Sequence, residues 1–404
     1  MIDKIIEKIQ KQISYQFNVV YSLNDKHVRL VCDEFGFCDY ASDRLGKHFL
    51  IETRVKSSDV VVYACKADEY CKSICRILVQ KSEWNITEHM NGYYYNTRIE
   101  EYGVTLWDNN GNRNSKLGEI VERVFSKDNN ISILISASKE YYFFYYDCNE
   151  HTKPTPMRII RSLLMYDLVD RYDAITYFHT AVIRYRNKGI LLCGASGNGK
   201  TSTVLNFIKE GEGELVANDK AFLCIDHNGQ LVSFGWPTVV TIGVGNLKQY
   251  KELEKFLVTI EDVKSSQQLY GYEPNKKYLL LNNDEMIYLP KKCNKLVISH
   301  SLLSELFDIN VVPKTQVDVI IFVNHHWDFG DSIVAKITED KKKIIEENLL
   351  ENISDQLNWI GCEECKAKNV NEIVSYIENE IDIYNYEADF KLINLKKVLD
   401  EVLL

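Results

Sequence analysis

The sequence predicts an α/β protein: a P-loop catalytic core with an α/β C-terminal region, preceded by an additional N-terminal α+β domain. Three observations lead there. Apolar runs of strand length, such as 60–65 and 319–323, alternate with runs of helical period. A glycine-rich loop, Gly194 to Thr201, stands between a strand-like run and a helix-like one. Thr152-Lys153-Pro154-Thr155-Pro156 breaks the chain, which sets a boundary near 150 and gives domains 1–150 and 151–404.

In chain order, Ile2, Ile5, Ile6, Ile9 and Ile13 form a one-sided helical stripe. Strands are expected at 27–32, 48–55 and 60–65, a helix at 69–80, and strands at 131–135 and 141–146. The Tyr/Phe run at 141–146 fits a sheet core better than a base-stacking platform. Thr155 is placed to cap a helix whose first turn holds Pro156 and whose apolar residues recur from Ile159 to Val169. From Ile175 the period changes to that of strands. Segments 176–184 and 189–193 flank Tyr185-Arg186-Asn187-Lys188 as a hairpin, and the second strand feeds the glycine loop. A helix at 201–209 stops at Gly211 and Gly213, and strands follow at 214–217, 220–225, 231–234 and 238–242. Further on, apolar runs at 278–281 and 319–323 precede helical patterns at 341–350, 370–381 and 392–403.

Composition narrows the function. The 404 residues carry 48 Lys+Arg against 58 Asp+Glu, a net charge of −10, which disfavours sequence-independent nucleic-acid binding. With 6 Pro, 19 Gly and 25 Tyr the chain reads as folded rather than disordered. Eleven scattered cysteines, an odd number, read as reduced thiols. No apolar run nears the roughly 20 residues a membrane span needs, so a cytoplasmic protein with no membrane partner is expected. Cys362-Glu363-Glu364-Cys365 has the spacing of half a zinc site but lacks a companion pair, since Cys71 and Cys75 are i,i+4. His325 and His326 end a strand, where adjacent side chains face opposite ways, so at most one faces a site; both read as structural.

Gly194-Ala195-Ser196-Gly197-Asn198-Gly199-Lys200-Thr201, followed by Ser202, matches G-x-x-x-x-G-K-[ST]. Glycines let successive N–H groups turn inward on phosphate oxygens, backed by the positive end of the next helix. Lys200 would reach the β- and γ-phosphates, and the Thr201 hydroxyl would ligate Mg²⁺. The chain is therefore expected to bind ATP or GTP with Mg²⁺. A second acidic group must serve the metal or the nucleophile. Asp219, where 214–217 ends, is preferred to Asp226, which opens a turn through Asn228-Gly229.

His179, one hairpin ahead of a G-x-S-G-x-G-K-T loop, and a short helix and strand ending in Asn218-Asp219 together resemble HPr kinase/phosphorylase. That fold is related to PEP carboxykinase, and the wider HPr-kinase-like group includes kinases of lasso-peptide precursors. The resemblance is firm over 176–245. It implies that His179 contacts the transferred phosphate or the base, and that Asp219 accepts the hydroxyl proton or holds Mg²⁺ with Asn218. It also implies γ-phosphoryl transfer to a hydroxyl of a peptide, protein or small molecule, and leaves a homo-oligomer open. Two departures stand out: the group's acidic pair is Asn218-Asp219 here, and its later acid has no match in 239–243. The alternative of another class is a nucleotide-gated binding module that transfers nothing.

Overall fold

The computed structural model describes residues 6–7, 17–53, 58–66, 85–89, 92–99, 102–108, 131–137, 139–149, 152–195, 197–210, 213–243, 249–256, 269–270, 295–326, 330–350 and 367–403. These fall into two compact units, one up to Arg171 and the other from Tyr172. Expectations at 69–80, at 278–281, at Cys71/Cys75 and at Cys362/Cys365 lie outside the described residues, as do Ser196 and most of the N-terminal stripe.

The first unit is built on one nine-stranded sheet. Its strands are β1 (Phe17–Leu23), β2 (Lys26–Cys32), β3 (Leu50–Glu52), β4 (Val60–Lys66), β5 (Asn85–His89), β6 (Gly92–Ile99), β7 (Tyr102–Asp108), β8 (Ile131–Ala137) and β9 (Glu140–Tyr145). Their order is β3-β1-β2-β4-β9-β8-β7-β6-β5, antiparallel except for the β2/β4 and β4/β9 pairs. Tyr142, Phe143 and Tyr145 are buried in it, as a sheet-core reading requires. Two helices, α1 (Phe35–Leu45) and α2 (Pro154–Arg171), pack on each other and on β1 and β2.

α2 moves the unit boundary. It begins at Pro154, so Thr155 lies inside its first turn instead of capping it. Its buried Ile159, Ile160, Leu164, Leu168 and Val169 belong to the first unit's core. The chain accordingly divides after Arg171 and not near 150.

The second unit holds three sheets. Its strands are β10 (Ile175–Phe178), β11 (Ala181–Tyr185), β12 (Lys188–Cys193), β13 (Gly213–Ala217), β14 (Ala221–Ile225), β15 (Leu231–Gly235), β16 (Val240–Gly243), β17 (Leu269–Tyr270), β18 (Lys295–Ile298), β19 (Asn310–Val311), β20 (Lys314–Gln316), β21 (Val319–His326), β22 (Ser332–Lys336), β23 (Leu349–Leu350) and β24 (Asp382–Asp389). Its helices are α3 (Lys200–Lys209), α4 (His300–Phe307), α5 (Lys341–Asn348), α6 (Val370–Glu380) and α7 (Leu395–Val402). A seven-stranded sheet runs β19-β13-β11-β12-β21-β24-β22, with β12, β21 and β24 parallel. Beside it lie a five-stranded sheet, β20-β15-β14-β10-β23, and a three-stranded one, β16-β18-β17.

The central strands β12 and β21 are covered on both faces, which is why they read as continuous apolar runs. Ile190 and Leu192 face a core with Val204, Leu205, Phe207 and Ile208 of α3. Leu191 and Cys193 face the opposite core with Ile373, Val374 and Ile377 of α6. Burying each large α3 side chain stabilises the helix by about 1.5–3 kcal/mol, so the helix that follows the glycine loop is firmly seated.

The run expected as one strand over 176–184 divides in two. β10 pairs with β14 in the five-stranded sheet, whereas β11 pairs with β12 and β13 in the seven-stranded sheet. The hairpin is as expected: Arg186 (φ 49°) and Asn187 (φ 63°) form a left-handed two-residue turn between β11 and β12. The strand expected at 238–242 is displaced slightly, to β16. The final helix begins later than expected, with the Asn394 side chain accepting from Lys397 N–H at its N-cap.

Candidate active site

The glycine loop leaves β12, a strand with neighbours on both sides, and enters α3 at Lys200. Its backbone takes positive φ at Gly194 (140°), Gly197 (95°) and Gly199 (96°). At Gly199, the N-cap of α3, glycine is required twice over: φ is left-handed, and an added Cβ would lie 2.7 Å from His325 Cδ2. The loop therefore opens its amides at the positive end of a helix, the arrangement that suits an anion.

Lys200 is buried, and its ammonium donates to the carbonyl oxygens of Gly194 and, at 3.2 Å, Ala195. Burial pulls its pKa down, while the charge of Asp219 and the Cys193 thiol oppose that pull. Thr201 is half-buried and Ser202 buried on the first turn of α3. The Ser202 carbonyl accepts from the Tyr250 hydroxyl at 3.4 Å.

Two short crossings between sheets supply the remaining groups. Residues 179–180 carry the chain from β10 in the five-stranded sheet to β11 in the seven-stranded one. Residues 218–220 carry it back, from β13 to β14. His179 lies in the first crossing and Asp219 in the second, and His179 Nε2 is 3.2 Å from Asp219 Oδ1. Both side chains keep about a third of their surface open, at 34% and 39%. Burial opposes ionisation of Asp219. The His179 hydrogen bond and the charges of His179, Lys220 and Lys200 outweigh it and hold the carboxyl below the usual carboxylate range. Thr180, buried beside His179, donates its hydroxyl to Leu192 O at 3.0 Å and so ties the first crossing to the strand that feeds the loop.

Asn218 is 3% exposed, and among the described residues its buried Oδ1 has no hydrogen-bond partner. An unpaired buried carbonyl next to Asp219 fits a hard cation or a donor on a ligand. Thr201, Asn218 and Asp219 offer oxygen donors alone, the set magnesium prefers. Among the described residues no group of three or more His, Cys, Asp or Glu side chains is placed to hold a metal.

The rival acid behaves as a turn residue. Asp226 Oδ1 accepts from the N–H groups of Asn228 and Gln230, each at 2.9 Å, in the exposed turn between β14 and β15. Arg184, Arg186 and Lys188, near the hairpin tip, are paired with Glu214, Asp400 and Asp318.

Sequence reasoning missed the floor of the loop. Asn324 Oδ1 accepts from the Asn198 side-chain amide at 3.1 Å, and His325 N–H donates to Asn198 O at 3.1 Å. His325 is buried and His326 exposed, which bears out the alternation expected at the end of β21. No spacing rule links positions more than 120 residues apart; only the pairing of β12 with β21 brings them together.

No family model matches the chain, and no curated protein matches it. Among solved structures, the chain is similar to the Hpr(Ser) kinase/phosphatase from Coxiella burnetii. Identity is 13% and the TM-score 0.25, over 56% of this chain and 93% of that one. No helix among the described residues is long and apolar enough to cross a membrane.

Proposed function

We propose that the chain is an ATP-dependent kinase of the HPr-kinase-like class, transferring the γ-phosphoryl group to a hydroxyl of a peptide, protein or small-molecule acceptor. The observation that carries this reading is the His179–Asp219 pair at 3.2 Å, coupled electrostatically to the loop lysine. It sets an ionised carboxylate beside a phosphate-type cradle, which is what an incoming hydroxyl needs.

Phosphoryl transfer demands positioning and charge neutralisation more than covalent chemistry. The loop amides and Lys200 would take the phosphates, with Lys200 exchanging its carbonyl partners for phosphate oxygens. Thr201, Asn218 and Asp219 are the residues that would hold Mg²⁺, which supplies charge neutralisation when bound. Asp219 has its pKa lowered, so it is ionised at pH 7 and a weak base. Its role is to orient the acceptor hydroxyl and to receive the proton late, once the oxygen has become acidic. His179 fixes the carboxylate through Nε2 and is exposed enough to meet the transferred group.

The test is incubation with radiolabelled ATP and candidate acceptors, with mass spectrometry of the products. Lys200→Ala and Asp219→Asn should each abolish transfer, and Asp219→Asn should leave nucleotide binding largely intact. A fully active Asp219→Asn protein would refute the role given to that residue. One observation favours the second reading, a nucleotide-gated binding module: Asn218 contributes no charge where the resemblance expects an acid. A partner captured only with ATP present, yet never phosphorylated, would select it.

A further inference from the structure

We propose that His325 is a positioning residue for the phosphate loop: its side chain clamps the turn from Gly199 to Thr203 onto the end of β21 and keeps the loop amides in place for a nucleotide's phosphates. This deepens the nucleotide reading above and rests on it.

Six contacts fix the arrangement. His325 Nε2 is 2.8 Å from Thr203 Oγ1, and Thr203 Oγ1 is 2.9 Å from the Gly199 carbonyl oxygen. The His325 N–H reaches Asn198 O, so backbone and side chain grip consecutive parts of the loop. The ring packs against Gly199 closely enough that an added Cβ there would stand 2.7 Å from His325 Cδ2. Tyr386 and Phe390 hold the imidazole edge-on, at centroid distances of 4.9 and 5.8 Å.

Packing alone does not account for an imidazole here. The side chain is 4% exposed, and among the described residues the buried Nδ1 has no hydrogen-bond partner. A leucine would fill similar space with no polar nitrogen left over, and burying an unpaired polar atom is costly. What leucine cannot supply is the bond to Thr203. The Thr203 hydroxyl has one proton, and if that proton goes to Gly199 O, the ring donates from Nε2 and Nδ1 is a bare lone pair. Burial, with His326 adding to it, lowers the His325 pKa to about 4. The ring is neutral at pH 7 and supports the loop by hydrogen bonding, without adding a charge beside Lys200.

The experiment compares the full chain with His325→Leu, His325→Gln and Thr203→Val. Amide hydrogen exchange of residues 194–203 is measured without nucleotide, the thermal midpoint reports folding, and calorimetry reports ATP binding with magnesium. His325→Leu is expected to fold, with loop exchange at least tenfold faster and ATP affinity at least tenfold weaker. His325→Gln, whose amide can still reach Thr203, is expected to recover most of both. Thr203→Val removes the same bond from the other side and is expected to match His325→Leu. Loop exchange and affinity unchanged in His325→Leu, or no recovery in His325→Gln, overturns the clamp. Should His325→Leu fail to fold, Thr203→Val decides alone. If the unaltered protein binds no nucleotide, the functional reading fails, yet the exchange comparison still decides whether His325 holds the loop.

Discussion

Replacing Gly199 with alanine probes the loop most directly, because its effect divides into two parts. The first is conformational. At φ 96° and ψ 8° the residue is left-handed, which costs a non-glycine residue about 1–2 kcal/mol. The second is steric. The new methyl would meet His325 Cδ2 at 2.7 Å and Phe390 Cε1 at 3.1 Å, and overpacking of this kind costs about 1–3 kcal/mol. Gly197→Ala is the matched control: its φ is 95°, yet among the described residues no atom outside its chain neighbours lies within 4 Å of the added carbon. Both substitutions gain the same unfolded-state term of about 0.4–1 kcal/mol, which cancels in the comparison. Urea unfolding of the two variants should therefore differ by about 1–3 kcal/mol, with Gly199→Ala the weaker. Equal losses would refute the packed contact between the loop and the end of β21.

The His179–Asp219 pair predicts a titration. In His179→Ala the carboxyl loses its hydrogen-bond partner and a nearby charge, so its pKa should rise in a carbon-detected NMR titration; an unmoved value would refute the coupling. Because the folded-state pKa of Asp219 lies below the usual 3.8, the stability it contributes is present above that value and is lost as pH falls through the folded pKa. Acid unfolding of His179→Ala should lose that contribution. Asp226→Ala should lose about 0.5–1.5 kcal/mol in urea unfolding, from its turn hydrogen bonds, while leaving phosphoryl transfer unchanged. A transfer defect would reinstate Asp226 as the second acid. Asn187→Val places a β-branched residue at φ 63° and should destabilise by about 1–2 kcal/mol in the same assay, again without touching transfer.

The loop was legible because its chemistry is contiguous: glycines, Lys200 and Thr201 follow one another, and Ile190, Leu191 and Leu192 announce the strand that feeds them. The Arg186-Asn187 hairpin was legible for the same local reason. The division at 178–181 was not. The run from Ile175 to Tyr185 holds no glycine or proline, so nothing local marks the passage from one sheet to the other at His179 and Thr180. β24 was missed because Asp382, Asn385, Glu387 and Asp389 interrupt a strand that nonetheless pairs along the full length of β21. The floor of the loop depends on the tertiary pairing of β12 with β21, and the end of the first unit on the packing of α2. Helix period located α2, but no local pattern states which core it joins.

Because the histidine and the aspartate sit on two opposite passages between the same two sheets, the length of each passage sets their contact. A one-residue insertion at 179–180 or 218–220 would leave each strand's pairing intact, yet displace one member from the other and disarm the pair. Transplanting the glycine loop with α3 into another scaffold would bring Lys200 but neither partner. The lengths of these two linkers govern the pair's contact as much as the residues they carry.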